Sequence, residues 1–280
     1  MKAAAKCDAS KSCSYLTTPP LNCQHHKNRC RHTKGDIRAL ARGSTRKILK
    51  KLPDGANNEV AAYSKISQDG ALRGIMPKFI REIEYKGDCF IESEDLLWRY
   101  PNPKERYIID VKLGTRLVSE NGRRRPTAPT EQERRDESIN KLRYMKFREE
   151  QSSTSTLGFR IDVAKLPSGK LQKDLKRHIK TKEQVLEEIL GGQKWAVRKQ
   201  LRQRLMTIRA GVENSQFFQS HEVVGGSLLI VFDSFVADAW LIDFAKVTKV
   251  PDGVVLNHHP NTDGYLTGLD SLIEIFQSYQ

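Results

Sequence analysis

Two stretches of this chain read as buried β-strands that finish on charged side chains. One is Tyr107-Ile-Ile-Asp110-Val-Lys112-Leu-Gly114. The other is Gly226-Ser227-Leu-Leu-Ile-Val-Phe-Asp233, with Trp240-Leu-Ile-Asp243-Phe-Ala-Lys246 just beyond it. A carboxylate in such a strand is costly unless it is paired or holds a cation. Two acids and a lysine at strand ends suit a site that takes a metal ion and a phosphate.

At 280 residues the chain holds one large domain or two smaller ones, and a hydrophobic fraction of 38% suffices for a packed core. No apolar run approaches the roughly eighteen residues of a membrane span. The stretch Met1-Lys-Ala-Ala-Ala-Lys-Cys7 has no apolar core of the secretory type, so a cytosolic location is expected. The net charge is +14, unevenly spread. Residues 1–50 carry twelve Lys/Arg against two acids, residues 165–209 thirteen against four, and residues 211–280 two against nine. A basic middle and an acidic end fit a site where a polyanion meets a metal ion. On charge alone a nucleic acid remains an equal candidate for that polyanion.

Four of the five cysteines, Cys7, Cys13, Cys23 and Cys30, lie in the first thirty residues, and the fifth is Cys89. An odd count in a polar tail argues against a disulfide scaffold. Cys23-Gln-His25-His26 and Cys30-Arg-His32 could ligate zinc, but their spacing is not that of the common fingers. Residues 1–34 read as a disordered or variable extension and residues 35–280 as a catalytic domain.

The pattern predicts two strands between Ile37 and Lys51 and a helix from Glu59 to Ile66 with Val60, Ala61 and Tyr63 as core contacts. It predicts a hairpin of Phe79–Ile83 and Cys89–Ile91 around Lys86-Gly87-Asp88, then a buried strand over Arg106–Leu113. Glu131–Glu150, Thr181–Leu190 and Trp195–Ala210 read as helices, and Leu157–Val163, Ser227–Asp233 and Ala239–Asp243 as strands. Tyr265–Ser278 closes as an amphipathic helix with Leu266, Leu269, Ile273 and Phe276 on one face. This order predicts an α+β protein with a small N-terminal lobe, a larger C-terminal lobe and a basic helical insertion at about 121–165. An active site between the lobes would gather Lys50, Asp110 and Asp243.

Several residues could carry phosphoryl transfer, which needs positioning and charge neutralisation more than covalent chemistry. Lys50 ends an apolar Ile-Leu pair and could grip phosphates, or it is one of several solvated cations in its run. Glu94, Asp95 and Leu96 follow a strand and could form a hinge whose main chain reads an adenine; an acidic helix start would look the same. Asp243 could hold Mg²⁺ with Ser227 supplying a second oxygen, or it is a satisfied cap or salt-bridged acid. Asp110 and Lys112 share one face of a strand, and Gly114 beyond them lets a ligand approach. Lys141, Tyr144 and Arg148 recur at helical steps and could clasp a multiply phosphorylated ring. Arg143, Arg160 and Lys165 add cations to that segment. A solvated helix face is the plainer reading.

Taken together the chain resembles the inositol trisphosphate 3-kinases, within the inositol polyphosphate kinase family, over roughly residues 36–280. The resemblance rests on Arg143-Tyr-Met-Lys-Phe-Arg148-Glu149, Ser152-Ser-Thr-Ser-Thr-Leu157-Gly-Phe-Arg160-Ile161, His221-Glu-Val-Val-Gly-Gly-Ser227-Leu-Leu and Asp263-Gly-Tyr265-Leu-Thr-Gly-Leu269-Asp270. It implies a two-lobed α+β fold related to protein kinases and ATP-grasp enzymes, with a helical substrate-binding insertion. It implies transfer of the ATP γ-phosphate to the 3-hydroxyl of inositol 1,4,5-trisphosphate, with Mg²⁺ or Mn²⁺. By position Lys50, Glu94, Asp95, Leu96, Asp110 and Asp243 would contact ATP. Asp110 would anchor the ribose or assist the acceptor hydroxyl, and Lys112 would lie between γ-phosphate and acceptor. Ser227 and Asp243 would hold the metal, and Lys141, Arg143, Tyr144, Met145, Arg148 and Lys165 the substrate.

The chain departs from the family pattern at Arg106, where proline is usual, at Ala245 in Asp243-Phe-Ala245-Lys246, and in a short loop from Gly114 to Ala128. Ala245 resembles the multikinases and hexakisphosphate kinases, which makes those activities the alternative. Some members bind calmodulin, but no tryptophan-bearing basic helix precedes Lys50. A protein kinase is disfavoured because no His-Arg-Asp loop is present. A non-catalytic polyanion binder, nucleic acid included, would leave Asp110, Lys112 and Asp243 unexplained.

Overall fold

The computed structural model describes residues 46–53, 57–117, 131, 149–167, 171–172, 179–190, 195–259 and 262–277. The chain divides into two compact units, one drawn from residues up to 56 and 78–96, the other from 57–77 and 97–280.

The first unit is a three-stranded antiparallel sheet of β1 (Lys47–Lys51), β2 (Phe79–Tyr85) and β3 (Asp88–Glu94), in the order β1-β3-β2. The expected hairpin joins β2 to β3. Its two turn residues, Lys86 and Gly87, have φ of 52° and 86°, the pair of left-handed conformations that matches the twist of a two-residue hairpin. On the central strand Glu92 is buried and is neutralised from both sides, by Arg81 Nε at 2.7 Å and Lys47 Nζ at 3.7 Å. The first strand expected before β1 falls outside the described residues.

The second unit opens with α1 (Asn57–Ile66). Its buried stripe is Glu59, Ala62, Tyr63 and Ile66, whereas Ala61 is exposed and Val60 half-buried. The helix is therefore rotated from the expected face, and it buries a carboxylate that sequence hydropathy places outside. Its core is a five-stranded antiparallel sheet in the order β6-β5-β4-β8-β9. The strands are β4 (Tyr107–Leu113), β5 (Phe159–Lys165), β6 (Leu171–Gln172), β8 (Ser227–Phe232) and β9 (Ala237–Ile242). A two-stranded ribbon of β7 (His221–Val223) and β10 (Val247–Lys249) stands beside it.

Described helices of this unit are α2 (Thr154–Leu157), α3 (Lys182–Leu190), α4 (Trp195–Glu213), α5 (Gln216–Ser220) and α6 (Tyr265–Gln277). One face of β4 is apolar: Ile109, Val111 and Leu113 are at most 2% exposed, and α6 packs on β4 and β5. The buried residues of α6 include Leu266, Leu269 and Phe276 as expected, but Leu272 and Ile275 replace the half-buried Ile273. The α2–α6 contact is backbone on backbone. A Cβ on Gly268 would sit 2.2 Å from the Gly158 carbonyl oxygen, so only glycine permits that approach.

The strand expected over Leu157–Val163 is β5, Phe159–Lys165, within the main sheet, and it occupies the end of the insertion expected at about 121–165. Its β-branched and aromatic residues pair with β4, as the strand reading requires. Residues 118–130 and 132–148, with the candidates Lys141, Arg143, Tyr144, Met145 and Arg148, lie outside the described residues. Among the described residues no helix is long and apolar enough to cross a membrane.

Candidate active site

The pleat of β4 places Asp110 and Lys112 on the face opposite the apolar one. Antiparallel register then lines up their neighbours. Lys112 pairs with Arg160 on β5 and with Ser227 on β8, and Ser227 pairs in turn with Ile242 on β9. Asp243 follows directly. The chain turns there with φ +66° at a residue other than glycine, an uncommon conformation that clusters at functional sites. Its environment is packed on both sides, since Trp240, Leu241, Ile242 and Phe244 are at most 4% exposed.

Lys112 is the centre of the group. Its ammonium donates to Asp243 Oδ2 at 2.8 Å and to Ser227 Oγ, and faces Asp110 Oδ2 at 3.5 Å. Ser227 Oγ also lies 3.5 Å from Asp243 Oδ2. Ser227 is fully buried, and the Lys112 and Asp110 side chains are 12% and 10% exposed, against 25% for Asp243. Asp243 is therefore the member that a ligand in solvent reaches first.

Burial pushes the Asp110 carboxyl up, opposed by Lys112 and reinforced by Asp243. Burial alone would lower Lys112, but Asp110 and Asp243 outweigh it and hold the ammonium above its ordinary value. The lysine thus stays charged while one carboxylate beside it is strained toward protonation.

Three further residues join the group that the sequence did not single out for it. Asp162 is the extra residue of a β-bulge, set between the pairs Asp110–Val163 and Val111–Ile161. It is buried, its charge acts on both Asp110 and Lys112, and Arg160 Nε lies 3.5 Å from it. Strict alternation hides such a residue, because a bulge shifts the face by one. Arg160 stands out in the sequence only as one cation among several. Tyr63, expected as a core contact, hydrogen-bonds with the Asp243 main chain, and burial followed by the Asp243 and Glu59 charges drives its phenol well up.

Lys165 lies on the same face of β5 as Val163, the residue paired with Asp110. Lys50 lies on β1, and Glu94, Asp95 and Leu96 at the end of β3, all in the other unit. There the Glu94 and Asp95 amides donate to the Lys78 and Arg46 carbonyls, at 3.0 and 2.9 Å.

The family model of the inositol polyphosphate kinases matches residues 90–277. The chain belongs to this family. It is 44% identical over 243 residues to an inositol-trisphosphate 3-kinase homologue of Caenorhabditis elegans, covering 78% of this chain and 49% of the relative. It is 39% identical over 237 residues to human inositol-trisphosphate 3-kinase A, covering 74% and 50%. The chain thus spans about half the length of the curated relatives it matches. A crystal structure of an inositol phosphate multikinase from S. cerevisiae, in complex with ADP and Mn²⁺, superposes with a TM-score of 0.61 at 18% identity. That match covers 83% of this chain and 98% of the other. The α+β fold expected from the sequence is therefore the fold of this family.

The group also fits a divalent cation. All the donors near Asp243 are hard oxygens, as Mg²⁺ and Mn²⁺ prefer. Ser227 Oγ and Asp243 Oδ2 lie 3.5 Å apart and converge on one point, which the Lys112 ammonium takes in this structure. Asp110 Oδ1 is buried, with no hydrogen-bond partner among the described residues. Among the described residues no cluster of three or more His, Cys, Asp and Glu could hold a metal unaided. A cation held by one or two protein oxygens and completed by phosphates needs no such cluster.

Proposed function

We propose that this protein transfers the γ-phosphate of ATP to the 3-hydroxyl of inositol 1,4,5-trisphosphate, giving the 1,3,4,5-tetrakisphosphate. The observation that carries this reading is the group of Asp110, Lys112, Ser227 and Asp243 on one sheet face of an inositol polyphosphate kinase. The trisphosphate is a water-soluble polyanion, which suits a net charge of +14 and action in the cytosol.

Lys112 would meet both the transferred phosphoryl group and the acceptor oxygen, since its ammonium stays charged beside the reacting atoms. Asp110 would anchor the ribose or take the proton of the attacking hydroxyl; a carboxyl raised by burial is the better base. Asp243 and Ser227 would hold Mg²⁺ or Mn²⁺, which when bound neutralises phosphate charge. Lys50 would grip the ATP phosphates. With the Glu94 and Asp95 amides already donating, adenine recognition by this stretch falls to its carbonyls and to Leu96. Lys141, Arg143, Tyr144, Met145, Arg148 and Lys165 would contact the acceptor. Arg160 joins them as a cation on the Lys112 face.

The test is incubation with ATP, Mg²⁺ and a panel of inositol phosphates, followed by assignment of the position that gains phosphate. One product, phosphorylated at the 3-hydroxyl of the trisphosphate, is expected. Comparable turnover of several acceptors would establish the broader multikinase reading, which Ala245 favours. No turnover at all would remove the function. Lys165→Ala should raise the KM for the inositol phosphate about tenfold, the loss of one charge-assisted contact, with the KM for ATP unchanged. Equal rises in both would make Lys165 a structural residue.

A further inference from the structure

A second buried polar group is tied to the same strands, and phosphoryl transfer as described makes no use of it. His258 and Asp263 are 2% and 1% exposed. The His258 Nδ1 is 2.9 Å from both Asp263 carboxylate oxygens, and its Nε2 is 2.6 Å from the Phe218 carbonyl oxygen. Both ring nitrogens therefore face acceptors. Each ring nitrogen is thus held against a fixed oxygen in a pocket closed off from water. His258 also has φ +54°, and its own carbonyl accepts from the Leu266 amide at 2.9 Å.

The remaining contacts of Asp263 lead to the active site along two strands. Its carboxylate accepts from the Val223 amide at 3.0 Å and from the Tyr265 amide at 3.1 Å. Its carbonyl accepts from the Thr115 amide at 2.8 Å and from Thr115 Oγ1 at 3.3 Å. Thr115 lies three residues past Lys112, and Val223 four residues before Ser227. The intervening glycines leave no slack. A Cβ on Gly114 would lie 2.9 Å from the Asp263 carbonyl oxygen, and one on Gly226 would lie 3.1 Å from the Tyr265 ring. One residue thus fixes the end of β4 and the approach to β8, the strands that carry Lys112 and Ser227.

We propose that His258 and Asp263 are positioning residues: a buried hydrogen-bonded clamp that sets the spacing of Lys112 and Ser227 for phosphoryl transfer. His258 holds the Asp263 side chain in place, and Asp263 distributes its oxygens over three segments. The proposal rests on the kinase reading above.

The test compares Asp263→Asn, His258→Asn and the double variant with Leu272→Ala, a truncation of the buried α6 core. Rates are measured well below each variant's Tm, on whichever inositol phosphate the wild type phosphorylates best, so a wrong acceptor leaves the comparison intact. Asp263→Asn sets an amide donor against the Val223 or Tyr265 N–H. It should lower kcat at least tenfold per folded molecule while both KM values stay within twofold. His258→Asn should do the same, and the double variant should cost less than the product of the two single losses. Leu272→Ala should lower Tm with kcat unchanged. A drop in Tm alone for the clamp variants, matching Leu272→Ala, would overturn the proposal. Crystal structures of the clamp variants give a readout independent of turnover. The 2.8 Å contact of Lys112 with Asp243 should lengthen or be lost, and its retention would also overturn the proposal. Should these variants fail to fold, Thr115→Val removes only the hydroxyl bond to Asp263; kcat should fall about threefold, and an unchanged kcat would count against the clamp.

Discussion

Replacing Asp243 with asparagine should abolish turnover, by a factor on the order of 10³ or more in kcat, while leaving the protein folded. The size follows from what is lost. Asp243 is the member of the group most open to solvent, and the asparagine that replaces it carries no charge for a divalent cation. Removing one preorganised electrostatic partner from a transition state costs about 10²–10³, and a lost metal carboxylate should lie at or beyond the top of that range. The fold should survive for two local reasons. Asparagine tolerates the left-handed conformation that Asp243 adopts at φ +66° better than most residues do. Lys112 also keeps Ser227 and Asp110 as neighbours. Steady-state kinetics with ATP and the trisphosphate, paired with a thermal melt, decides it. A Tm within about 3 °C of wild type corresponds to under about 2 kcal/mol at this size. Activity above about a tenth of wild type would show that Asp243 holds no metal.

The sequence made the strand ends legible because they break a rule. Acids at positions 110 and 243 stand in runs that should be buried, and the structure places both around one lysine. Period-two alternation also foretold that Asp110 and Lys112 share a face. Asp162 was hidden because it sits in a bulge, where alternation fails. Tyr63 was hidden because a tyrosine on a buried helix stripe looks like core, and only tertiary packing brings its phenol to the Asp243 main chain.

Among the described residues, the Ser152–Ile161 and Asp263–Asp270 motifs behind the family resemblance do mostly structural work. Ser152 and Ser153 hydroxyls bond Thr154 Oγ1 and the Phe159 carbonyl, at 2.8 and 2.7 Å. Gly158 and Gly268 permit a backbone contact, and Asp263 ties strands together. Such residues are specific because they satisfy buried polar groups, and that requirement has no period for a sequence to show.

Replacing Lys112 with methionine should cut kcat at least about 10²-fold and, unlike the Asp243 change, should alter the pH response as well. Methionine fills the volume but returns no charge. The ammonium meets Ser227, Asp243 and Asp110 at once, so its loss leaves the buried Asp110 carboxyl facing the half-buried Asp243. Asp110 is already raised by burial, with Lys112 the chief opposing influence. Without that influence its carboxyl must rise further. The sign for stability follows. A carboxyl whose folded pKa exceeds its unfolded value binds more protons when folded, so stability falls as pH rises from about 4, the unfolded carboxyl value, through the folded one. The variant should therefore lose least stability relative to wild type near pH 4 and most above the folded pKa of Asp110. If Asp110 takes the hydroxyl proton, the acid limb of any residual activity should move to higher pH, because the ionised base appears later. Lys112→Arg should not rescue the rate, since a planar guanidinium does not replace a compact ammonium among three close oxygens. Urea midpoints and pH–rate profiles of the wild type and both variants test this. A methionine variant with wild-type kcat, or with a stability profile parallel to wild type across pH, would place Lys112 outside the chemistry and the charge balance of the site.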